Sequence, residues 1–218
     1  MKRKSKDVAR LHCTTMLAGL HKELDGPVEP AVTASAALLR TQFQAMELKR
    51  LYRQGWLKRG VAEGETESVA DHVFGTAILA LLLAGHGDYA GLDRDKVLRM
   101  VLVHELGEVY TGDITPVDGV SPEEKHRLEL DSLEKVLGDT QAAFELRALW
   151  QEFEDGSSAE ARFVRELDRL EMGLQAAVYQ ADGSTRMEEF YDSARRTVQA
   201  PGLRGILELA IAGAGACG

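Results

Sequence analysis

The sequence predicts an all-α fold, and three observations carry that prediction. Apolar residues recur at helical spacing in most segments long enough to judge, cap signatures precede several of them, and no alternating β-branched run or internal repeat interrupts the series. With 218 residues, 44% hydrophobic and 28% charged, the chain can fill one sizeable core. It reads as a compact single-domain helical bundle over residues 33–218. Residues 1–32 form an N-terminal extension broken by Gly26-Pro27 and Pro30.

Each element has its own warrant. From Thr33 to about Arg53, the residues Leu38, Leu39, Phe43, Met46 and Leu51 keep helical spacing. A glycine-punctuated loop from Arg53 to Gly60 comes next, rich in cations and carrying an exposed-looking Trp56. Ser68 with Asp71 makes a capping box that opens the next helix and sets His72 in its first turn. That helix is apolar all round from Ala77 to Ala84, which predicts a central position. Asp93 caps a helix expected to carry His104 and to reach about Tyr110, where Gly112 and Pro116 prevent its continuing. Ser121-Pro122-Glu123-Glu124 starts another, ending near Leu137. Helices at about 140–154 and 159–181 come next; Phe163, Val164, Leu167, Leu170, Leu174, Ala177 and Val178 stripe the second, with Asp168 beside the stripe. Weaker helices are expected at about 186–198 and 203–212.

Composition narrows the function. A net charge of -9 argues against binding a nucleic-acid polymer or an anionic membrane, because neutralising phosphates takes a basic face. The longest apolar run, Ala77 to Ala84, falls far short of the ~20 residues that span a bilayer. The basic start, Met1 to Lys6, resembles a signal-peptide n-region, but Arg10, His12, Thr14 and Thr15 interrupt the apolar run that a signal peptide needs next. Cys13 and Cys217 make neither a disulfide framework nor a C-x-x-C motif, so a reducing, cytoplasmic location is expected.

The chemistry concentrates between Val101 and Asp113. On a helix, His104 and Glu108 share a face and Glu105 lies one step round, rooted by Val101, Leu102 and Val103. Carboxylates crowded into a segment apolar enough to be buried need a cation or donors. With His72 and Asp168 from other helices, the nitrogen and oxygen set suits Mn, Fe, Co, Ni or Zn better than calcium. The zincin H-E-x-x-H pattern lacks its second histidine, since Glu108 stands there, and no repeated Glu-x-x-His pair points to a di-iron bundle.

Glu67-Ser68-Val69-Ala70-Asp71-His72, then Val103-His104-Glu105-Leu106-Gly107-Glu108 leading to Thr111-Gly112-Asp113-Ile114, then Leu167-Asp168-Arg169, resemble the HD-domain metal-dependent phosphohydrolases. The segments Leu48 to Trp56, Ser121 to Arg127, Leu149 to Glu154 and Ser158 to Val164 are similar to the 5'-deoxynucleotidase branch, and the likeness covers roughly 38–182. The resemblance implies one divalent ion, Mg included among the candidates, on His72, His104, Glu105 and Asp168. It implies Glu108 as general acid or base, Asp113 as a neighbouring active-site acid, Arg53 on the substrate phosphate and Trp56 on the sugar. Glu105 stands where the family has aspartate, which bears on metal affinity, metal choice and activity. The implied reaction removes the 5'-phosphate from deoxyribonucleoside 5'-monophosphates, with small nucleotides as partners and a homodimer left open. Hydrolysis of nucleoside triphosphates or another small phosphoester, and a metal-stabilised nucleotide-binding or regulatory module, are the alternatives.

Overall fold

The computed structural model describes residues 30–216; Cys13, Cys217 and nearly all of the extension assigned to 1–32 lie outside the described residues. Among the described residues ten α-helices run in order: α1 (Pro30–Ala45), α2 (Gln54–Lys58), α3 (Val69–Leu83), α4 (Arg94–Val103), α5 (Glu108–Thr111), α6 (Pro122–Leu137), α7 (Ala143–Asp155), α8 (Ala159–Ala181), α9 (Glu188–Thr197) and α10 (Pro201–Ala216). Among the described residues no strand forms, and an isolated antiparallel bridge joins Tyr52 to Ser68.

The expected caps are in place. Ser68 Oγ accepts from the Asp71 N–H at 3.1 Å while Asp71 accepts from the Ser68 N–H at 2.8 Å. Asp93, Ser121 and Ser158 accept from the backbone three residues on. Each satisfies a donor that a helix start would leave unpaired.

The centre of the bundle is α8, not α3. Its buried residues run from Ala161 and Val164 through Leu167 and Leu170 to Ala176 and Tyr179, and it packs against α3, α4, α7, α9 and α10. In α3 the small residues Thr76, Ala77 and Ala80 face inward, whereas Phe74 is 69% and Leu82 67% exposed, with Ile78 and Leu81 beside them. The all-round apolar pattern could not say which face would be buried. Close approach to α4 and α8 favoured the small side chains over the large ones.

Two further expectations are corrected. The first helix stops at Ala45, and a 3-10 turn, Met46–Lys49, leads to the bridged strand-like segment at Tyr52. The helix carrying His104 also stops early, at Val103. His104 is its C-cap, and i to i−3 bonds (Leu106 N–H to Val103, Glu108 N–H to Glu105, Val109 N–H to Leu106) carry the chain through a turn into α5. The cause is tertiary: α6 presses against this turn so closely that a Cβ on Gly107 would lie 2.9 Å from Glu129 Cβ and 3.0 Å from the Glu129 carbonyl oxygen. Only glycine fits there.

Candidate metal centre

Three elements bring four residues to one point. His72 comes from the first turn of α3, His104 and Glu105 from the turn after α4, and Asp168 from α8. His72 Nε2 lies 3.1 Å from Asp168 Oδ1 and 3.7 Å from Glu105 Oε1; His104 Nε2 lies 3.6 Å from the same Glu105 oxygen. Each of the four residues offers one ligand atom, and these atoms all fall within 4.8 Å of one another.

The imidazoles are oriented from behind. His104 Nδ1 is 2.6 Å from the Val101 carbonyl oxygen, which only accepts, so that nitrogen carries the proton and Nε2 presents a lone pair. His72 Nδ1 is 2.5 Å from Glu171 Oε2. Both Nε2 atoms are buried and make no hydrogen bond among the described residues; the His72 contact with Asp168 is near in distance but lacks hydrogen-bond direction. Buried polar atoms left so are rare, and two of them aimed at the same carboxylates fit a divalent cation.

Electrostatics supports that fit. Burial and the Arg53 charge push the His72 imidazole down, but Asp168 and Glu171 outweigh them and hold it at about 9. Burial works against the charge on Asp168, yet Arg169 and His72 hold its carboxylate well below the usual range. For Glu105, burial is likewise outweighed by the imidazoles and Arg53. Surroundings that favour a cationic imidazole also favour a metal ion.

Glu108 and Arg53 flank this set. Glu108 is 2% exposed, and Oε2 has no hydrogen-bond partner among the described residues. Burial, then repulsion from Glu105 and Asp113, raises its pKa well above the ordinary carboxylate value, which favours the protonated acid. Arg53 Nη1 is 3.1 Å from Glu105 and 3.9 Å from Asp113 Oδ1, while Asp113 Oδ2 accepts from the Gln54 N–H at 2.5 Å. The Tyr52–Ser68 bridge ties this arginine to the start of α3, with the Arg53 N–H reaching the Glu67 carbonyl at 3.1 Å.

Trp56 differs from its exposed reading. It is 1% exposed, its ring centroid lies 4.0 Å from that of Phe190 and 5.1 Å from that of Tyr179, and Nε1 donates to Glu67 at 2.7 Å. Glycines and cations around it signalled a surface loop, but an indole with one donor to place is well served by the half-buried Glu67 carboxylate.

Sequence reasoning missed Glu171, Lys125 and Glu129. Glu171 lies one helical turn beyond Asp168 on the buried face of α8, a charge within an apolar stripe, and that spacing was the available signal. Lys125 leans over the acids: burial lowers its pKa, but Glu129, Glu105 and Glu108 together raise it.

Helical elements that carry two histidines and two carboxylates to a buried point, with an arginine and a buried acid alongside, define a metal-centre class of helical domain. The chain belongs to the HD-domain family: the model described as "HD domain" matches residues 45–204. A 5'-deoxynucleotidase HDDC2 of Bos taurus is 39% identical over 75% of this chain and 81% of its own. A 5'-deoxynucleotidase of Saccharomyces cerevisiae is 33% identical over 66% and 62%. The crystal structure of the PH0347 protein of Pyrococcus horikoshii superposes with a TM-score of 0.66 at 33% identity, covering 79% of this chain and 98% of that one. A predicted metal-dependent phosphohydrolase of Magnetospirillum magnetotacticum, at 23% identity and TM-score 0.66, shares the fold over 88% and 97%.

Proposed function

We propose that the chain is a metal-dependent phosphohydrolase that removes the 5'-phosphate from deoxyribonucleoside 5'-monophosphates. The observation that carries this reading is the pair of buried, unpartnered imidazole nitrogens turned toward Glu105 and Asp168, with Arg53 at their edge. It is supported by relatives named 5'-deoxynucleotidase that align over most of the chain.

His72, His104, Glu105 and Asp168 would hold one divalent ion, with Mn, Co, Fe, Ni, Zn and Mg as candidates. When bound, such an ion lowers the pKa of water and neutralises phosphoryl oxygens. The remaining work falls to side chains. Arg53 offers its guanidinium fork to the phosphate, exchanging part of its contact with Glu105 for phosphoryl oxygens. Asp113, held by the Gln54 N–H, keeps that fork in place. Glu108, whose dry setting favours its protonated form, donates to the leaving 5'-oxygen. Trp56 bounds the sugar side by anchoring the α2 turn. The exposed stripe Phe74, Ile78, Leu81 and Leu82 supports a homodimer, and a cytoplasmic setting completes the reading.

Phosphate release from dAMP, AMP and dATP, measured with added Mn, Co or Mg, tests the proposal. Release from dAMP well above AMP and dATP is expected. Equal or preferred release from dATP would favour a triphosphate hydrolase, and binding without release a regulatory module. Arg53→Ala should raise KM for dAMP by about 10- to 150-fold, the loss of a charge-assisted contact of roughly 1.5–3 kcal/mol.

A further inference from the structure

We infer that Glu171 is a positioning residue of the metal centre, seated in a notch that Gly75 leaves in α3, where it fixes the tautomer and angle of His72. The inference rests on the metal reading above and adds a residue to it. Its carboxylate accepts a hydrogen bond from His72 Nδ1 at 2.5 Å across 99 residues of sequence, so that Nε2 is the nitrogen turned to Glu105 and Asp168. Ligating histidines need such an outer partner, because an imidazole free to rotate or change tautomer spends part of its time presenting N–H where a lone pair is required.

Gly75 is the independent observation. It lies inside α3 with helical neighbours on both sides and is not among the glycines of positive φ, so no turn explains it, and glycine weakens a helix interior. A Cβ at this position would lie 2.5 Å from Glu171 Oε1 and 3.1 Å from its Cγ. The glycine thus makes room for the carboxylate on the turn after His72. Glu67 also falls within 4.8 Å of both residues. Because Nδ1 is already engaged by Glu171 and Glu67 accepts from Trp56 Nε1, the Glu171–His72 pair reads as a hydrogen-bonded support and the trio not as a second cation site.

Two measurements on full-length protein freed of metal test this. Titration with Mn by calorimetry should show affinity lowered about 10- to 100-fold in Glu171→Leu and less in Glu171→Gln, whose amide oxygen can still accept. Gly75→Ala should lower affinity in the same direction, and Gly75→Ala with Glu171→Leu should be no worse than Glu171→Leu alone, since both act on one contact. Nitrogen-15 spectra of the imidazoles, taken above the pH of about 9 at which His72 gives up its second proton, give a readout that a merely structural role would not move: in Glu171→Leu the His72 tautomer redistributes while His104 keeps its Nδ1–H form. Unchanged Mn affinity in Glu171→Leu, or an unchanged His72 tautomer, overturns the inference. Failure of the wild type to bind any metal would instead sink the metal reading, and the tautomer spectra would still decide the role of Glu171.

Discussion

The two imidazoles of the centre are ring neighbours, 5.7 Å apart, yet they are held by different means. His104 gives its Nδ1 proton to the Val101 carbonyl, three residues back on α4, so its orientation comes with the helix end. His72 relies on a carboxylate delivered by a distant helix, and its orientation exists only once α8 has docked on α3. The local arrangement is sturdy and cannot be removed by changing a side chain. The long-range one can be tuned, and it can also be broken. Each side also carries a glutamate whose pKa is raised. Burial, with repulsion from Glu171, pushes Glu67 up to about 7 beside His72; burial does the same to Glu129 across from Gly107.

Removing each ring should expose the difference most strongly. His72→Ala and His104→Ala should both abolish metal binding. The metal-free His72→Ala protein should lose more stability, about 3–5 kcal/mol, because buried Glu171 and Asp168 lose their partner. His104→Ala leaves one carbonyl unpaired, which costs about 1–3 kcal/mol plus the cavity. Urea unfolding with chelator present measures both, and equal losses would erase the distinction.

On the His104 side, Glu108→Gln should keep the metal but lower kcat by ~10²- to 10⁴-fold, as a proton-transfer group would. Elemental analysis beside steady-state kinetics checks it; loss of metal would make Glu108 a ligand.

A smaller effect concerns Glu129, whose pKa rises from an ordinary 4.5 unfolded to about 7 folded. Folding therefore favours the protonated acid. Its contribution is full below about 4.5, declines as pH rises through 7 and is absent above. Glu129→Gln should remove that decline and raise stability at pH 8 by at most roughly 3 kcal/mol. Unfolding at several pH values for both proteins shows the sign, and parallel curves would count against it.

The smallest effect is expected at Glu105, which touches both imidazoles. Its extra methylene brings one oxygen within 3.7 Å of His72 Nε2, 3.6 Å of His104 Nε2 and 3.1 Å of Arg53. Glu105→Asp should shift metal preference or kcat by a modest factor, because such sites tolerate only ~0.5 Å of misplacement. Identical metal titrations and kinetics would make the longer arm neutral.

Local signals were legible in the sequence. Ser68, Asp93, Ser121 and Ser158 marked helix starts because a cap is a contact between residues three apart. The four candidate ligands came from resemblance on top of clustering, and the structure brings one ligand atom of each within 4.8 Å of the others. What could not be read was set by distant packing. The helix break after Val103 depends on α6, the burial of Trp56 on Phe190 and Tyr179, and the outward Phe74 and Leu82 on how closely α3 meets α8. Glu171 was hidden for the same reason: its partner lies on another helix, and nothing near it in sequence announces that.

The bridge between Tyr52 and Ser68 has a consequence for how the chain can vary. It closes a loop whose outer turn, Ala62 to Glu65, is exposed, and a Cβ on Gly64 would meet nothing within 4 Å. Lengthening a loop already closed at its base adds little entropy. Arg53 and His72 stand at that base and Glu63 and Gly64 at its tip, so residues inserted between the latter leave the former in register. This turn is a place where the chain can acquire a new segment, or accept a label chosen by an experimenter, without the metal centre registering the change.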